Sequence, residues 1–420
     1  MRVMVVGKGG REHAIVWALS KSPKISQLLC APGNVGMRGL AELVPIQEHQ
    51  FDELAVFATE RKIDLVVIGP DDPLAAGIVD HLESAGLRVY GPRKNAAIIE
   101  GSKVFTKDLL HKYNIPTAAY GSFDNYEEAL AYVRKQGAPI VIKADGLAAG
   151  KGVIVAQTLQ EAEAALAEIM VSKAFGASGN SVVVEEFLQG QEMSLLAFVD
   201  GVTVRPMVPS QDHKPVFDDD KGPNTGGMGT YSPLPHIPQS VVDEAIATIV
   251  KPTAEAMVAE GRPFRGVLYA GLMLTAQGPK TIEFNARFGD PETQVILPRL
   301  ETDLLDIFLA TLDGTLGELD IRWSEEAAVC VILASAGYPA SSTKGVAIEG
   351  LDAIGDRALV FHSGTAEKDG KLVTNGGRVL GVVGRGRDIA EARERAYAAA
   401  ADIHFEGKHN RTDIARKALV

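Results

Sequence analysis

Hydrophobic and polar residues alternate along Thr281–Glu292, which predicts a strand that ends in the turn Gly289–Glu292. Glu283, Asn285 and Arg287 share one face of this predicted strand. Carboxylate and amide oxygens are ligands that Mg²⁺ takes in proteins, and a guanidinium beside them can bind a carboxylate or a phosphate. The pattern therefore fits a metal and phosphate site, or an amphipathic strand whose polar face is merely solvated. The opposite, apolar face consists of Ile282, Phe284, Ala286 and Phe288.

Strand and helix patterns alternate over the first hundred residues, which is typical of an open parallel α/β sheet. The sequence therefore predicts an N-terminal α/β domain over residues 1–100. Its predicted elements are the strands Arg2–Val6, Ile25–Cys30, Leu65–Ile68 and Arg88–Tyr90 and the helices Glu12–Ser20, Phe51–Arg61 and Ala75–Ala85.

The turn after the first predicted strand, Gly7–His13, is rich in glycine. Glycines between a strand and a helix can form a cradle of backbone N–H groups for phosphate. The fingerprint of dinucleotide-binding proteins is incomplete, because Glu12 stands where its third glycine would fall. A nicotinamide cofactor is therefore disfavoured, and the turn is either a site for another anion or purely structural.

A glycine-rich hairpin follows in the central part of the chain. A helix is predicted at Ala96–Lys112 and carries Lys103 and Lys107. Two apolar strands then flank the loop Asp145–Gly152, with Lys143 at its entrance. The N–H groups of such a loop can fold over phosphates, although an ordinary hairpin would have the same composition. It is not a Walker A motif, since no helix opening in Gly-Lys-Ser/Thr follows.

Two further stretches are candidates for ligand contacts. The predicted strand Ser181–Leu188 runs into acidic and then apolar residues, and such an end can hold a purine, although alone it would be a core strand. Glu192 could bind ribose hydroxyls. A loop is predicted over Ser210–Tyr231, and loops this long are usually functional or disordered. The last 90 or so residues form a predicted small α+β domain that would serve packing and substrate closure.

Composition narrows the possible partners. The 420 residues carry a net charge of −12, which argues against a general nucleic-acid binder. Two cysteines exclude a disulfide framework, and no apolar run reaches membrane length. The N-terminus lacks the pattern of a signal peptide, so a cytoplasmic location is expected. We expect small-molecule substrates, no nucleic acid, no membrane, and a monomer or weak homo-oligomer.

The order of these features resembles the ATP-grasp fold, in which two α+β subdomains hold ATP between them. Three segments are similar to signatures of the phosphoribosylamine–glycine ligase family, also called glycinamide ribonucleotide synthetases. They are Gly7–Ala14, Asp212–Lys214 with Gly222–Gly229, and Arg287–Gln294. The resemblance covers essentially the whole chain. It implies an ATP-grasp domain over residues 101–325, with a mobile glycine-rich lid subdomain at about 122–192, and a C-terminal α+β domain over residues 326–420.

The resemblance also implies a reaction. ATP, glycine and 5-phosphoribosylamine would give glycinamide ribonucleotide, ADP and phosphate through a glycyl phosphate, as a step of purine biosynthesis. ATP is then a substrate, and Mg²⁺ or Mn²⁺ is the cofactor. Phosphoryl transfer needs positioning and charge neutralisation more than a side-chain nucleophile. That requirement agrees with the absence of a Ser/His/Asp or Cys/His pattern.

Roles for individual residues follow from the resemblance. The metal ligands would be Glu283 and Asn285. The ATP-binding residues would be Lys103, Lys143, Gly146, Gly150, Lys151, Gly152, Glu185, Glu186, Phe187, Leu188 and Glu192. The substrate-binding residues would be Gly9, Gly10, Arg11, Asp212, Lys214, Gly226, Gly227, Met228, Arg287, Gly289 and Asp290. The catalytic residues would be Arg287, Lys143 and Asp212. Among these, Asp212 and Lys214 would face phosphoribosylamine, and Gly226, Gly227 and Met228 would offer backbone donors.

The chain departs from the family pattern at three places. Pro215 follows Lys214 where a second basic residue is expected, and Met37 replaces a small polar residue. Ala415 stands where glycine is usual. Two alternatives stay open: another ATP-grasp ligase with a different acid or amine, and a nucleotide-dependent binding protein that has lost turnover.

Overall fold

The computed structural model of the chain describes residues 1–148 and 151–419. Over these residues the chain forms one five-stranded parallel sheet, three antiparallel sheets of four or five strands, and two antiparallel strand pairs. Two apolar clusters run through the N-terminal, central and C-terminal parts, whereas a third is confined to residues 129–184. The predicted combination of an N-terminal parallel sheet, a two-part central region and a small C-terminal α+β region is confirmed.

The N-terminal sheet has the strand order β3-β2-β1-β4-β5, and every neighbouring pair is parallel. Residues 3–6 of the central strand are fully buried, as expected for a strand covered on both faces. The elements of this part are β1 (Arg2–Gly7), α1 (Gly10–Ser20), β2 (Gln27–Pro32), β3 (Glu42–Leu43), α2 (Phe51–Glu60), β4 (Leu65–Ile68), α3 (Asp71–Ala76), α4 (Ile78–Ser84), β5 (Val89–Tyr90) and α5 (Lys94–Gly101).

Two helices that the sequence predicts as continuous are each broken. The predicted helix Ala75–Ala85 is interrupted at Gly77, whose φ of +95° lies in the left-handed region. The predicted helix Ala96–Lys112 is interrupted at Ser102, and the second helix, α6 (Lys103–Lys112), begins after it. Ser102 has an extended backbone, and its hydroxyl accepts a hydrogen bond from Phe105 N at 3.1 Å. The break therefore comes from a serine N-cap inside an otherwise helical pattern.

A separate antiparallel sheet carries the glycine-rich hairpin. Its strand order is β6-β9-β7-β8, and α7 and α8 pack against it around the third apolar cluster. This unit therefore has an apolar core of its own. The elements are β6 (Tyr120–Phe123), α7 (Tyr126–Gln136), β7 (Ile140–Ala144), β8 (Val153–Ala156), α8 (Leu159–Leu166) and β9 (Val182–Glu186).

The predicted loop over Ser210–Tyr231 contains four short strands, so the prediction of a long irregular loop is wrong. The first and last of these four strands belong to the C-terminal sheet, because they pair with each other and the last one also pairs with the strand Ala327–Ala334. The bounds from the second part of the central region onward are β10 (Gln191–Asp200), β11 (Thr203–Pro206), β12 (Gln211–Asp212), β13 (Pro215–Phe217), β14 (Lys221–Asn224), β15 (Gly229–Ser232), α9 (Gln239–Ala245), α10 (Lys251–Ala259), β16 (Arg265–Thr275), β17 (Gly278–Asn285), α11 (Thr293–Ile296), α12 (Leu304–Asp313) and β18 (Ala327–Ala334).

The strand predicted within Thr281–Glu292 is β17, at the edge of the sheet β11-β10-β16-β17. It ends at Asn285, three residues earlier than the alternation indicates. A bulge also breaks the alternation, since Glu283 pairs with Gly271 whereas Thr281 pairs with the next residue of β16. Ile282 is therefore displaced from the apolar face where the sequence pattern places it, and it is half-buried.

The C-terminal sheet has the order β12-β15-β18-β22-β19 and is covered by the last helix. In the described residues, every helix is too short or too polar to cross a membrane. The remaining elements are β19 (Leu359–His362), β20 (Thr365–Lys368), β21 (Lys371–Thr374), β22 (Arg378–Gly386) and α13 (Ile389–Asp402).

The C-terminal segment forms hydrogen bonds with the hairpin β13–β14. Arg411 is 1% exposed and donates hydrogen bonds to Asp413 Oδ1 at 2.7 Å and to Asp220 Oδ1 at 3.0 Å. Ala415 N donates to His213 Nε2 at 3.4 Å. The segment therefore braces the chain that directly follows Asp212.

Ala415 has a φ of +64°, in the left-handed region where alanine is strained. Relief of this strain by Ala415→Gly, about 1–2 kcal/mol, is offset by the loss of a buried methyl group and by the greater freedom of the unfolded chain. We expect the free energy of unfolding to change by less than about 0.5 kcal/mol. Ala399→Gly, at an equally buried position inside α13, should lower it by about 2 kcal/mol. Equal losses in urea unfolding would contradict the argument.

Candidate active site

A cavity of about 500 Å³ lies where the N-terminal sheet, the hairpin sheet, β16–β17 and the C-terminal sheet meet. Arg11 and Asp71 line it from the N-terminal part, and Arg378 lines it from the C-terminal part. The cavity brings together seventeen of the residues that the sequence analysis singles out. They are Arg11, Lys103, Lys143, Gly146, Gly152, Glu185, Glu186, Phe187, Leu188, Glu192, Asp212, Lys214, Gly226, Glu283, Asn285, Arg287 and Asp290.

One end of the cavity has a buried cluster of two lysines and one glutamate. Lys143 Nζ lies 2.9 Å from Glu185 Oε1, and Lys107 Nζ lies 3.1 Å from Glu185 Oε2. Lys143 also donates to Ile282 O at 3.0 Å, so it links the hairpin sheet to the bulge of β17. Burial lowers the pKa of Lys107 to about 8, although Glu185 opposes that shift. With two lysines and one glutamate, this cluster carries one net positive charge.

Lys107 is a cavity residue for which the sequence predicts a helical position but no role. The available signal is its spacing, because Lys107 lies one turn after Lys103 on α6 and therefore on the same face. The break at Ser102 places Lys103 at the first position of α6 and leaves Lys107 one turn inside it.

The entrance of the glycine-rich loop is tied to the beginning of α6. Asp145 Oδ1 accepts hydrogen bonds from the backbone N–H groups of Lys103 at 2.7 Å and Val104 at 3.2 Å. Lys103 Nζ in turn donates to Gly146 O at 2.8 Å. Gly146 has a φ of +125°, and a Cβ there would lie 2.6 Å from Ser178 Oγ. The loop therefore has a fixed base at this glycine.

Lys151, another residue of this loop, is exposed and does not line the cavity. Gly150 lies outside the described residues.

The wall beside the lysine cluster combines polar backbone with apolar side chains. Glu186, Phe187 and Leu188 line it at the end of β9, and Glu186 N donates to Ala119 O at 2.9 Å. Glu192 lies further along and faces Lys214, whose Nζ is 3.5 Å from Glu192 Oε2. An apolar surface beside polar groups suits a flat, partly polar ring. Further apolar side chains that line the cavity are Ile99, Leu110, Val141, Val155, Met273, Ile282 and Phe284.

Glu283 and Asn285 offer oxygen atoms to the same cavity. Burial works against ionisation of Glu283, but Lys214, Lys143 and Lys103 outweigh it and lower the pKa of this carboxyl group. In the described part of the chain the carboxylate of Glu283 makes no ion pair or hydrogen bond, and Asn285 Oδ1 accepts only a 3.2 Å bond from Arg287.

These two oxygen donors fit a hard divalent cation. Across residues 1–148 and 151–419 no group of three or more Asp, Glu, His or Cys side chains could hold a metal without other ligands. Two protein oxygens suit a cation whose remaining ligands are water and phosphate, as is usual for Mg²⁺ beside a nucleotide.

Arg287 is held by a carboxylate that the sequence analysis does not identify. Its Nη2 lies 3.0 Å from Glu100 Oε1, and Glu100 Oε2 accepts a hydrogen bond from Ala286 N at 2.8 Å. Burial opposes the charge of Arg287, but Glu100 and Asp71 more than compensate and raise its pKa. The guanidinium Nε has no partner in the described residues. Arg287 is thus fixed and charged, with donor capacity left for an anion.

Asp290 joins three parts of the chain. Its carboxylate accepts hydrogen bonds from Arg11 N at 3.3 Å and from Gln294 Nε2 at 2.8 Å. Arg378 Nη2 lies 3.5 Å from Asp290 Oδ1, and Arg378 Nη1 donates to Asp290 O at 2.9 Å. Burial disfavours the ionised form, but Arg378 and Arg11 hold the pKa of Asp290 below its ordinary value. Arg378 has no signal in the sequence beyond its place after two glycines.

Several predicted contacts are already used within the protein. Gly9 N donates to Glu12 Oε2 at 2.7 Å, and a Cβ on Gly10 would lie 2.5 Å from Ser363 Oγ. Neither glycine lines the cavity. Their contact with a substrate phosphate stays a prediction that needs another conformation.

The predicted backbone donors that follow the hairpin β13–β14 also make hydrogen bonds within the protein. Gly226 N donates to the Tyr338 hydroxyl at 3.0 Å, and Gly227 N donates to Thr225 Oγ1 at 2.9 Å. Met228 N donates to His213 O at 2.8 Å, and the Met228 side chain is buried. These N–H groups are therefore not available to a ligand in this conformation.

Three family descriptions match consecutive parts of the chain. "Phosphoribosylglycinamide synthetase, N domain" matches residues 1–100, the "ATP-grasp (A) domain" matches residues 101–293, and the "C domain" matches residues 328–417.

Relatives match over the whole length. The phosphoribosylamine–glycine ligase of Halalkalibacterium halodurans is 52% identical and covers 100% of this chain and 97% of its own. The same ligase of Vibrio vulnificus is 49% identical, with 100% and 99% coverage.

Solved structures agree with these matches. The crystal structure of phosphoribosylamine–glycine ligase from Thermotoga maritima has a TM-score of 0.87 and 37% identity, and covers 99% of this chain and 100% of its own. A biotin carboxylase domain from Hydrogenobacter thermophilus, bound to MgADP and bicarbonate, has a TM-score of 0.75 at 15% identity and 97% and 91% coverage, which shows the shared fold. The predicted ATP-grasp architecture is thereby confirmed, and the chain belongs to the phosphoribosylglycinamide synthetase family.

Proposed function

We propose that this chain joins glycine to 5-phosphoribosylamine in purine biosynthesis, using ATP and releasing ADP and phosphate. The observation that carries this proposal is that one cavity unites Glu283, Asn285 and Arg287 with Lys103 and Lys143. Relatives that are named phosphoribosylamine–glycine ligase and are about half identical over the whole length support the same reaction.

The reaction divides into two transfers. A glycine carboxylate oxygen attacks the γ-phosphorus of ATP, the bond to the bridging oxygen breaks, and ADP leaves. The amine of phosphoribosylamine then attacks the carbonyl carbon of glycyl phosphate, loses a proton, and displaces phosphate. Both steps move negative charge and neither needs a protein nucleophile, which suits a site rich in fixed cations.

The lysine end of the cavity is the proposed nucleotide site. Lys103 and Lys143 would neutralise the phosphates, and Phe187 and Leu188 would contact adenine. Glu185 would act by holding Lys107 and Lys143 at the distances observed. A buried ion pair whose members fix each other loses little freedom when a ligand binds.

Glu283 and Asn285 are the proposed ligands of Mg²⁺ or Mn²⁺. The bound cation would neutralise the phosphate groups and polarise the phosphoryl oxygens. Arg287 would bind the glycine carboxylate or the transferring phosphoryl group, since Glu100 orients it while its Nε stays free. Lys214 and Arg11 would approach phosphoribosylamine from two sides.

The hairpin sheet is the proposed lid, and its separate apolar core would let it move as a unit. Closure of the loop at Gly146 and Gly152 would keep water from the acyl phosphate. We extend the proposal to domains at 1–100, 101–325 and 326–420, with the lid at about 122–192. We further propose a cytoplasmic monomer or weak homo-oligomer without nucleic-acid or membrane partners, which light scattering after gel filtration would test for assembly.

The reaction is tested by the release of ADP from the purified chain. We expect release to require glycine and phosphoribosylamine together, because the acyl phosphate is productive only when the amine is present. Mass spectrometry should identify glycinamide ribonucleotide in an amount equal to ADP. Release that is indifferent to glycine would point to a ligase for another acid.

The metal role is tested by Glu283→Gln. Removal of the charged ligand should lower kcat at least about a hundredfold and weaken MgATP binding, because the phosphates lose part of their neutralisation. The exposed Glu255→Gln is the matched control and should change neither quantity. A Glu283→Gln enzyme with normal kcat at low Mg²⁺ would refute the assignment.

The structural role of the buried cluster is tested by Lys107→Met. Glu185 keeps Lys143 as its ion-pair partner and loses one charge-assisted hydrogen bond, so the free energy of unfolding should fall by about 1.5–3 kcal/mol. Because Lys143 is positioned through Glu185, the KM for ATP should rise as well. Lys112→Met removes a lysine from an exposed pair with Glu260 and should have little effect on thermal unfolding or KM.

A further inference from the structure

Asp212 and Glu292 are two neighbouring carboxylates that line the cavity. Glu292 is only 2% exposed, and its Oε1 accepts hydrogen bonds from the Tyr269 hydroxyl at 2.5 Å and Ser194 Oγ at 3.3 Å. In the described part of the chain Glu292 Oε2 has no hydrogen-bond partner, and neither carboxylate has an ion pair. Asp212 is half-buried, and its Oδ1 accepts a hydrogen bond from His213 N at 2.7 Å. Carboxylates withdrawn from water are usually paired with a cation, and this pair has none.

The nearby cations are committed to other carboxylates. Lys214 lies 3.5 Å from Glu192, Arg287 lies 3.0 Å from Glu100, and Arg378 lies 3.5 Å from Asp290. Desolvation and the neighbouring Glu292 carboxylate raise the pKa of Asp212 well above its ordinary value, although Lys214 opposes the shift. The pair is therefore electrostatically unsatisfied.

Two glycines make room for these carboxylates. A Cβ on Gly289 would lie 2.4 Å from Glu292 Oε2. A Cβ on Gly227, where φ is +120°, would lie 2.7 Å from both carboxylate oxygens of Asp212. Side chains at either position would displace the acids, so the backbone is built to keep them at the cavity wall.

We propose that Asp212 and Glu292 bind the ammonium group of glycine. The inference rests on the function proposed above and assigns Asp212 to glycine, whereas the sequence pattern assigns it to phosphoribosylamine. An ammonium donates three hydrogen bonds and matches two carboxylate acceptors. With its nitrogen held as an ammonium, glycine has no lone pair there to attack a second glycyl phosphate. Its carboxylate can then point towards Arg287, whose Nε has no partner in the described residues.

A metal ion is a poorer occupant of this pair. The described residues place no third Asp, Glu, His or Cys side chain beside the pair to complete a metal site, whereas at Glu283 and Asn285 the phosphates of ATP would supply the missing ligands. The hydroxyl groups of Tyr269 and Ser194 already donate to Glu292 Oε1, which leaves little charge for a divalent cation.

The test is the choice between glycine and glycolate, which has a hydroxyl group in place of the ammonium. The wild-type chain should use glycolate at least about 1,000-fold less well in kcat/KM, because the pair would be left without a cation. Glu292→Gln should raise the KM for glycine about 10- to 100-fold and leave the KM for MgATP and the already low rate with glycolate unchanged. The exposed Glu255→Gln is the control.

Several outcomes would overturn the inference. They are wild-type use of glycolate within tenfold of glycine, an unchanged KM for glycine in Glu292→Gln, or an effect confined to phosphoribosylamine or to the Mg²⁺ requirement. Asp212→Asn serves as the second variant if Glu292→Gln does not fold, and the wild-type comparison decides the matter if neither folds. If the wild-type chain does not need glycine at all, the proposed function fails as well. If it needs glycine and the variants bind glycine normally, only this inference fails.

Discussion

The carboxylate of Asp290 is the interaction on which the assembled cavity depends. It receives a backbone N–H from the first helix, a side-chain amide from α11 and a guanidinium from β22. A carboxylate buried without these donors would cost several kcal/mol, so its burial favours the arrangement in which all three parts meet. The same meeting places Arg11 and Arg378 at the cavity wall. The turn that the sequence presents as a family signature is therefore a joint between domains.

The cavity follows one electrostatic rule along its length, which is that most charges have a partner of the opposite sign. At one end two lysines share Glu185, and in the middle Arg287 pairs with Glu100. In the described part of the chain, the charged cavity residues without an ion pair are Asp71, Lys103, Glu186, Asp212, Glu283 and Glu292. Charges left without partners in an otherwise balanced site mark the places where a ligand brings charge. Paired charges therefore hold the site together, whereas unpaired charges are the candidates for ligand binding.

The sequence predicts most elements and most cavity residues because their patterns are local. Alternation along β17 identifies Glu283 and Asn285, and the glycine-rich loop identifies Lys143. Glu100 and Arg378 cannot be predicted from the sequence, because the role of each depends on a partner that is far away along the chain. The bulge at Ile282 also escapes, because a register shift between paired strands leaves no trace in the alternation of one strand.

The glycines of the signature segments show why a residue that matters for a site need not contact the ligand. The sequence analysis assigns Gly227 and Gly289 to substrate binding, and the structure gives them a steric reason to be glycine. Each lies so close to a carboxylate that a methyl group would collide with it. An alanine at Gly289 would therefore act through Glu292, by moving an acceptor whose position sets the orientation of whatever cation it binds. Absence of a side chain is here a means of holding another side chain in place.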